Sequence, residues 1–168
     1  MKAKTIGLTL AFLEGMVERG RGQIVNVSSA GTQNHTPGFG AYNASKAALD
    51  AWAKTAAAEL AVHGVRITTV YMPLVATAMT APTNYRPRRL YTSEEGAALI
   101  VRALTARPAR VAPRLGVFGE LVEAVAPAAH LVGSSFAYRR LSAIEEAFLM
   151  PQTMTRPLRR RGRPKRGR

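Results

Sequence analysis

Apolar residues recur at intervals of three or four near the start of the chain. Between Lys4 and Arg19 this spacing places one apolar face on a helix, made of Ile6, Leu10, Leu13 and Val17. Such a period is typical of an amphipathic helix that packs against a core. The glycines at 20 and 22 then interrupt the pattern. We therefore predict a first helix that ends before Gly20.

Short β-branched runs alternate with helical segments in the next part of the chain. Gln23 to Val27 and Val65 to Met72 have the composition of buried parallel strands. Between them, the alanine-rich segment from Tyr42 to Val62 predicts a long helix that closes at His63-Gly64. Ala109 to Pro113 predicts a third, shorter strand. These elements predict a three-stranded α/β domain.

Two irregular segments and one more helix complete this pattern. Ser28 to Phe39 and Pro73 to Tyr91 are rich in turn-forming residues and predict loops. Ser93, with two glutamates behind it, predicts the cap of a helix that runs to about Thr105. Helices and strands thus alternate, which predicts a parallel sheet with right-handed crossovers.

The composition limits the chemistry that the chain can perform. Hydrophobic residues make up 47% of 168 residues, which is enough for one domain with a buried core. Cysteine is absent, so disulfides and thiolate metal sites are excluded. His35, His63 and His130 lack the spacing of metal ligands. We expect no metal site, and any redox cofactor to be organic.

The net charge of +14 comes largely from the end of the chain. Residues 156–168 hold eight basic and no acidic side chains. Arg161 to Pro164 resembles the core of the AT-hook, which lies in the narrow minor groove of A·T-rich DNA. This resemblance implies DNA binding as an alternative function. The other interpretation of residues 151–168 is a disordered, solvated basic tail.

No segment has the pattern of a secretion signal or a membrane span. In "MKAKTIGLTLAFLEGM" a glutamate interrupts the apolar run, and no small-x-small cleavage site follows. The apolar region from Leu115 to Val132 carries Glu120 and Glu123, which predicts a helix lying against protein. We therefore expect a soluble, cytoplasmic chain.

Three polar residues lie close to the predicted end of the first strand. Tyr42 and Lys46 are four residues apart on a helix, so the ammonium lies one turn from the phenol. A nearby cation favours phenolate and lowers a pKa that is ordinarily about 10. Ser29 follows the strand, at the sheet edge where α/β proteins bind ligands. Together these groups could polarise a carbonyl and protonate an alkoxide, although a Tyr-x-x-x-Lys pair alone also occurs by chance.

The wider arrangement resembles the short-chain dehydrogenase/reductase family. The resemblance covers about Ile6 to Val111 and is carried by "IVNVSS", "YNASKAAL" and "VHGVRITTVYMPLVATAM". It implies the C-terminal part of a Rossmann-type doubly wound parallel sheet and hydride transfer between NAD or NADP and a carbonyl or secondary alcohol. The implied catalytic residues are Ser29, Tyr42 and Lys46; the residues implied to contact the cofactor are Tyr42, Lys46, Val75 and Thr77.

The same resemblance indicates which parts differ or are missing. The sequence has no Gly-x-x-x-Gly-x-Gly turn, and Met72-Pro73 occupies the place of the family's Pro-Gly turn. The family's catalytic asparagine would fall at Met1 or Lys2, where there is none. We therefore expect an N-terminally truncated member, with a partial Rossmann-like catalytic half at 1–113 and a helical extension at 114–150. As a truncated chain it could be inactive.

The resemblance also implies partners. In the family, the helix from Tyr42 to Val62 pairs with its twin, and the alanines at 44, 47, 48 and 51 would suit close contact in a homo-oligomer. Trp52 could belong to this contact or to an ordinary core. Substrate would lie under residues 78–92, where three arginines form either an anion clamp or a solvated face: Arg86, Arg88 and Arg89. "MPLVATAM" and "RLGVFGELV" resemble reductases of fatty acyl metabolism.

Overall fold

A computed structural model describes residues 2–78, 80 and 90–145. Within these ranges the helices are α1 (Lys2–Glu18), α2 (Gly31–Asn34), α3 (Gly40–Ala61), α4 (Ser93–Ala106), α5 (Arg114–Val125) and α6 (Pro127–Glu145). The strands are β1 (Gly22–Ser29), β2 (Val65–Met72) and β3 (Arg110–Val111). The bounds of β2 match the prediction, while β3 is shorter than predicted. The predicted cluster at Arg86 to Arg89, the AT-hook-like core at Arg161 to Pro164 and the position of Met1 lie outside the described residues.

The described strands form one parallel sheet in the order β1-β2-β3. β1 pairs with β2 along its whole length, from Gly22 opposite Val65 to Ser29 opposite Met72. β2 is the central strand, and five consecutive residues from Ile67 to Tyr71 are buried. A parallel strand covered on both faces is buried along its length in this way. The α/β class is therefore confirmed.

Helices cover both faces of the sheet. On one face Ala53 and Ala56 of α3 pack against Ile67 of β2. On the other face Ala103 of α4 packs against Val70 of β2 and against Val111 of β3. Because successive residues of a strand point to opposite faces, Ile67 and Val70 lie in different cores. The sheet is doubly wound, as the sequence predicts.

The prediction of right-handed crossovers is wrong for one of the two connections. α3 joins β1 to β2 on one face, whereas α4 joins β2 to β3 on the other face. Both connections step in the same direction across the sheet, from β1 towards β3. They must therefore have opposite hands, against the strong general preference. The long connection between Met72 and Ser93 allows the chain to pass to the opposite face.

Two glycine turns bring α1 and α3 to the start of the sheet. Gly20 and Gly64 have φ of 61° and 71°, in the left-handed region that favours glycine. Gly64 lies so close to the carbonyl of Gly20 that a Cβ atom there would collide with it. The carbonyl of Gly64 also accepts a hydrogen bond of 3.3 Å from the amide of Gly22. The paired turns thereby set the register between β1 and β2.

The start of α4 differs from the prediction by one residue. Thr92, and not Ser93, is the N-cap, and its hydroxyl accepts a 3.2 Å hydrogen bond from the amide of Glu95. The Glu95 carboxylate accepts a 2.9 Å hydrogen bond from the amide of Thr92 in return. This reciprocal capping box satisfies two amides, whereas a cap at Ser93 would lack the glutamate three residues later.

Residues 114–145 form two helices that rest on the loop after β1. That predicted loop contains the short helix α2, whose Gln33 is fully buried. α5 approaches α2 through Gly116 and Gly119, where a Cβ atom would overlap Gln33 and Asn34 respectively. Among residues 2–78, 80 and 90–145, no helix is both long and apolar enough to cross a bilayer.

Candidate active site

Ser29 is the last residue of β1 and stands at the carboxyl edge of the sheet. Its Oγ accepts a 3.2 Å hydrogen bond from the amide of Gly31, while its carbonyl accepts a 2.6 Å hydrogen bond from the Thr32 hydroxyl. The serine side chain is therefore held by the first turn of α2. Because Oγ is the acceptor in this bond, its own proton is available for a bond to a ligand.

Asn43 fastens the loop after β1 to the start of α3. Its amide donates a 2.8 Å hydrogen bond to the carbonyl of Phe39, and its side-chain Nδ2 donates a 3.2 Å hydrogen bond to the carbonyl of Thr36. The side chain of Asn43 is buried. Its neighbour Tyr42, the third residue of α3, is 40% exposed. The phenol is thus accessible to a ligand while the helix turn that carries it is fixed.

Lys46 links this helix turn to β1. Its Nζ donates a 2.9 Å hydrogen bond to the carbonyl oxygen of Val27, two residues before Ser29. Burial lowers the pKa of Lys46 below its ordinary value. Since Lys46 lies one helix turn after Tyr42, the structure places both residues on one face of α3, close to the end of β1.

Val75 and Thr77 lie beyond the end of β2, in a turn closed by a residue that the sequence pattern did not single out. The Thr80 hydroxyl donates a 2.7 Å hydrogen bond to the carbonyl of Val75 and accepts a 2.9 Å hydrogen bond from the amide of Thr77. Val75 also forms a parallel bridge with Tyr91, and its side chain packs on Gly96. Because Met72 pairs with Ser29, this turn leaves the same edge of the sheet as the loop after β1.

A polar cluster around the buried carboxylate of Asp50 fixes the middle of α3, and sequence reasoning missed it. The hydroxyl of Tyr71 lies 2.9 Å and 2.8 Å from the two carboxylate oxygens of Asp50. Lys54 Nζ lies 3.1 Å from Asp50 Oδ2. Burial, followed by the hydrogen bond and charge of Asp50, raises the pKa of Tyr71. Asp50 continues the four-residue spacing of Tyr42 and Lys46, which is the signal that could have found it.

The donors and acceptors at this edge of the sheet are of a kind that could hold the nicotinamide riboside part of a dinucleotide. An ammonium has three N–H donors, and the bond to Val27 uses one, so two donors of Lys46 are left for a ligand. Two buried oxygens near this strand end, Ser28 Oγ and Asn43 Oδ1, have no hydrogen-bond partner among the described residues. The sequence offers no Gly-x-x-x-Gly-x-Gly turn for the pyrophosphate.

Sequence comparison relates this chain to one dehydrogenase family model and to named reductases. The family model described as short chain dehydrogenase matches residues 4–87. A fatty acyl-CoA reductase of Acinetobacter baylyi is 45% identical over 123 residues, covering 73% of this chain and 42% of that protein. A fatty acyl-CoA reductase of Mycobacterium tuberculosis is 44% identical over 115 residues, covering 67% and 39%.

Solved structures show the same fold. The crystal structure of a short chain dehydrogenase from Burkholderia cenocepacia in complex with NADP superposes with a TM-score of 0.63 at 25% identity. The match covers 74% of this chain and 52% of that chain. This chain therefore spans about half the length of the solved structure and about two fifths of the two curated relatives.

Proposed function

Because the chain belongs to the short-chain dehydrogenase family, we propose that it carries the proton-transfer half of an NAD(P)-dependent oxidoreductase site. The reaction is hydride transfer between a nicotinamide cofactor and a carbonyl or secondary alcohol. One observation supports this assignment above all. Lys46 lies one turn from the exposed phenol of Tyr42, and its Nζ is 2.9 Å from the carbonyl oxygen of Val27, next to the end of β1.

Each of the three side chains has one role in this proposal. The hydroxyl of Ser29 donates a hydrogen bond to the substrate oxygen and polarises the carbonyl. Tyr42 transfers its proton to that oxygen as negative charge develops there. The ammonium of Lys46 stabilises the phenolate that remains and holds a ribose hydroxyl. When bound, the nicotinamide supplies or accepts the hydride.

Val75 and Thr77 are the proposed contacts of the nicotinamide carboxamide. A carboxamide offers both a donor and an acceptor, and the turn after β2 presents backbone and hydroxyl groups that match them. The Thr80 hydroxyl, 3.3 Å from the Thr77 hydroxyl, would exchange its partners when the cofactor binds. The solved relative that holds NADP supports a nicotinamide dinucleotide as the cofactor.

We further propose that the substrate is a fatty acyl thioester. Two relatives that match two thirds or more of this chain are named fatty acyl-CoA reductases. Hydride addition to the thioester carbonyl, with one proton, gives an aldehyde and releases the thiol. The proton comes from Tyr42, and the electron pair comes from the reduced cofactor. An aldehyde offers the same carbonyl geometry for a second reduction to the alcohol.

Replacement of Tyr42 by Phe tests the assignment. NADPH or NADH oxidation is followed by absorbance with a long-chain acyl-CoA and with the corresponding aldehyde. Loss of a general acid should lower kcat by about 10²-fold or more. Tyr138→Phe is the matched control, since this half-exposed phenol lies on α6. Full turnover by Tyr42→Phe would refute the role of Tyr42.

The exposed alanines of α3 are the proposed contact between two copies of the chain. Their side chains lie at the surface, as does most of this helix face: Ala44, Ala47, Ala48 and Ala51. Trp52 instead packs against the core of its own chain, beside Ala53 and Ile67. Small side chains permit close helix packing.

Bulky charges on this surface test the proposed homo-oligomer. Ala47→Arg with Ala51→Arg should shift the chain to a monomer in analytical ultracentrifugation, because two copies could no longer approach. Ala98→Arg, at an exposed position of α4, should leave the sedimentation coefficient unchanged. Equal sedimentation of the double variant and the control would reject the α3 contact.

A further inference from the structure

Helix α5 turns both of its glutamates and both of its glycines towards the rest of the protein. Oε2 of Glu120 lies 2.9 Å from Nη2 of Arg110, and Oε2 of Glu123 lies 2.9 Å from Nδ1 of His35. On the same side, Gly116 is buried against α2. The polar face of this helix is therefore already occupied by intramolecular contacts.

The opposite side of α5 faces solvent and is apolar after the exposed Arg114 at the start of the helix. Phe118, Leu121 and Val125 are 61%, 58% and 73% exposed. Their spacing places them within one narrow arc of the helix, which we name the outer face of α5. The next helix also exposes large apolar residues, namely Leu131, Val132 and Phe136. Burying this many large apolar side chains would be strongly favourable.

Net charge helps to decide whether a lipid surface or a second copy of the chain covers the outer face of α5. The net charge is +14, and residues 114–168 hold eleven basic and four acidic side chains. Two of these four acids, Glu120 and Glu123, face inward and lie 2.9 Å from Arg110 and His35 respectively. An anionic lipid surface attracts so basic a segment, whereas a contact between two copies through α5 would bring two such segments together.

We propose that the outer face of α5 inserts into the headgroup region of an anionic lipid bilayer. Phe118, Leu121 and Val125 enter the boundary between headgroups and acyl chains, and α5 lies parallel to the membrane plane. The basic residues that follow α6 in the sequence add electrostatic attraction to the anionic headgroups. This inference does not depend on the reaction proposed for Ser29, Tyr42 and Lys46.

Vesicle flotation with the full chain tests the proposal. The vesicles contain phosphatidylcholine alone, or phosphatidylcholine and phosphatidylglycerol in equal amounts. The chain should float with the anionic vesicles and not with the neutral ones. Phe118→Gln with Leu121→Gln should lower the bound fraction about tenfold or more, because two inserted apolar side chains are lost. Circular dichroism checks that the helices are retained.

A matched control removes exposed apolar groups elsewhere. Val62 and Val101 are 82% and 56% exposed and lie outside α5 and α6, so Val62→Gln with Val101→Gln should bind vesicles like the unmodified chain. A second pair, Leu121→Gln with Val125→Gln, should reproduce the loss. If either α5 variant binds as well as the control, the outer face of α5 is not the membrane contact.

Two other results would overturn the proposal. The first is duplex DNA binding without vesicle binding, which would assign the basic charge to nucleic acid. The second is a dimer that Phe118→Gln with Leu121→Gln dissociates, while vesicle binding stays equal to that of the control. That second result would assign the outer face of α5 to a second copy of the chain.

Discussion

Tyr42, Lys46 and Asp50 follow one another at four-residue intervals along α3, yet each has a different environment. The phenol of Tyr42 is exposed, the ammonium of Lys46 is half-buried against Val27, and the carboxylate of Asp50 is buried against Tyr71. Because the middle of α3 is buried and held at Asp50, the first turns of the helix, which carry Tyr42 and Lys46, have little freedom to move. We therefore expect the Asp50–Tyr71 contact to help hold the candidate catalytic residues in position.

We expect Tyr71→Phe to destabilise the protein. The substitution keeps the ring but removes the hydroxyl that donates to both oxygens of Asp50. A buried carboxylate that loses a donor costs about 1–3 kcal/mol. Urea unfolding followed by circular dichroism measures the change in free energy, with Tyr138→Phe as an exposed control. If the two variants unfolded at the same urea concentration, the hydrogen bond from Tyr71 to Asp50 would not contribute to stability.

The same cluster makes stability fall in alkaline solution. Burial lowers the pKa of Lys54, but the hydrogen bond and charge of Asp50 outweigh this and raise it, and burial and Asp50 also raise the pKa of Tyr71. A raised native pKa means that the folded state keeps its proton after the unfolded chain has lost it. This stabilisation is therefore complete below pH about 10 and is lost as the pH rises through the native values.

Unfolding midpoints at neutral pH and at about pH 11 check this expectation. The unmodified chain should lose more stability between the two conditions than Tyr71→Phe does, because the variant lacks one of the two titrating groups. If both proteins lost the same free energy of unfolding between the two pH values, the pH dependence could not be assigned to the hydroxyl of Tyr71.

At the scale of elements, glycines decide where α5 can lie. Gly116 and Gly119 recur at one turn's spacing and face Gln33 and Asn34 of α2. Without side chains at these two positions, the helix backbone approaches α2 closely. This contact turns the opposite side of α5, with Phe118, towards solvent. The position of two glycines thus determines which face of the helix is exposed.

Substitution of Gly116 by Ala should loosen α5. Its Cβ atom would overlap the amide of the buried Gln33, so either the side chain or the helix must move. We expect a loss of about 1–3 kcal/mol and faster proteolysis near residue 113. Gly133→Ala in α6 meets no neighbouring atom and should leave stability equal or higher, because alanine favours helix. A Gly116→Ala variant as stable as Gly133→Ala would contradict this account.

At the scale of the whole molecule, one edge of the sheet is open in the described residues. The amides of Gly22 and Ala30 donate to Gly64 and Met72, so the even-numbered residues of β1 bond to β2. The odd-numbered residues therefore turn their amides and carbonyls to the other side, where no described strand pairs with them. The bond from Lys46 to Val27 covers one of these carbonyls. Such an edge can pair with another chain.

We expect Val27→Lys to suppress self-association through this edge. Val27 is 38% exposed, and a charge on an edge strand opposes pairing with a second strand. Light scattering over time at several protein concentrations measures the effect. Val62→Lys adds the same charge at an exposed valine away from β1 and should scatter like the unmodified chain. If both variants scattered light equally, self-association would not occur through the edge of β1.

Local patterns predicted most elements, and long-range contacts account for the differences. β2 begins and ends at the predicted residues because its β-branched run is bounded by Gly64 and Pro73. Serine and threonine both cap helices, so the sequence pattern predicts Ser93 as the cap of α4; only the hydrogen bond to Glu95 identifies Thr92 as the N-cap. The opposite hand of the second crossover depends on which face α4 covers, which no local pattern encodes.

The sequence by itself determined the α/β class, the family relationship and the spacing of Ser29, Tyr42 and Lys46, because period and spacing are properties of the chain. Only the tertiary structure decided that Lys46 bonds to Val27, that Asp50 is buried against Tyr71, and that α5 exposes its apolar side. These features depend on which surfaces meet when distant segments pack, and the packing free energy is shared among residues far apart in the sequence.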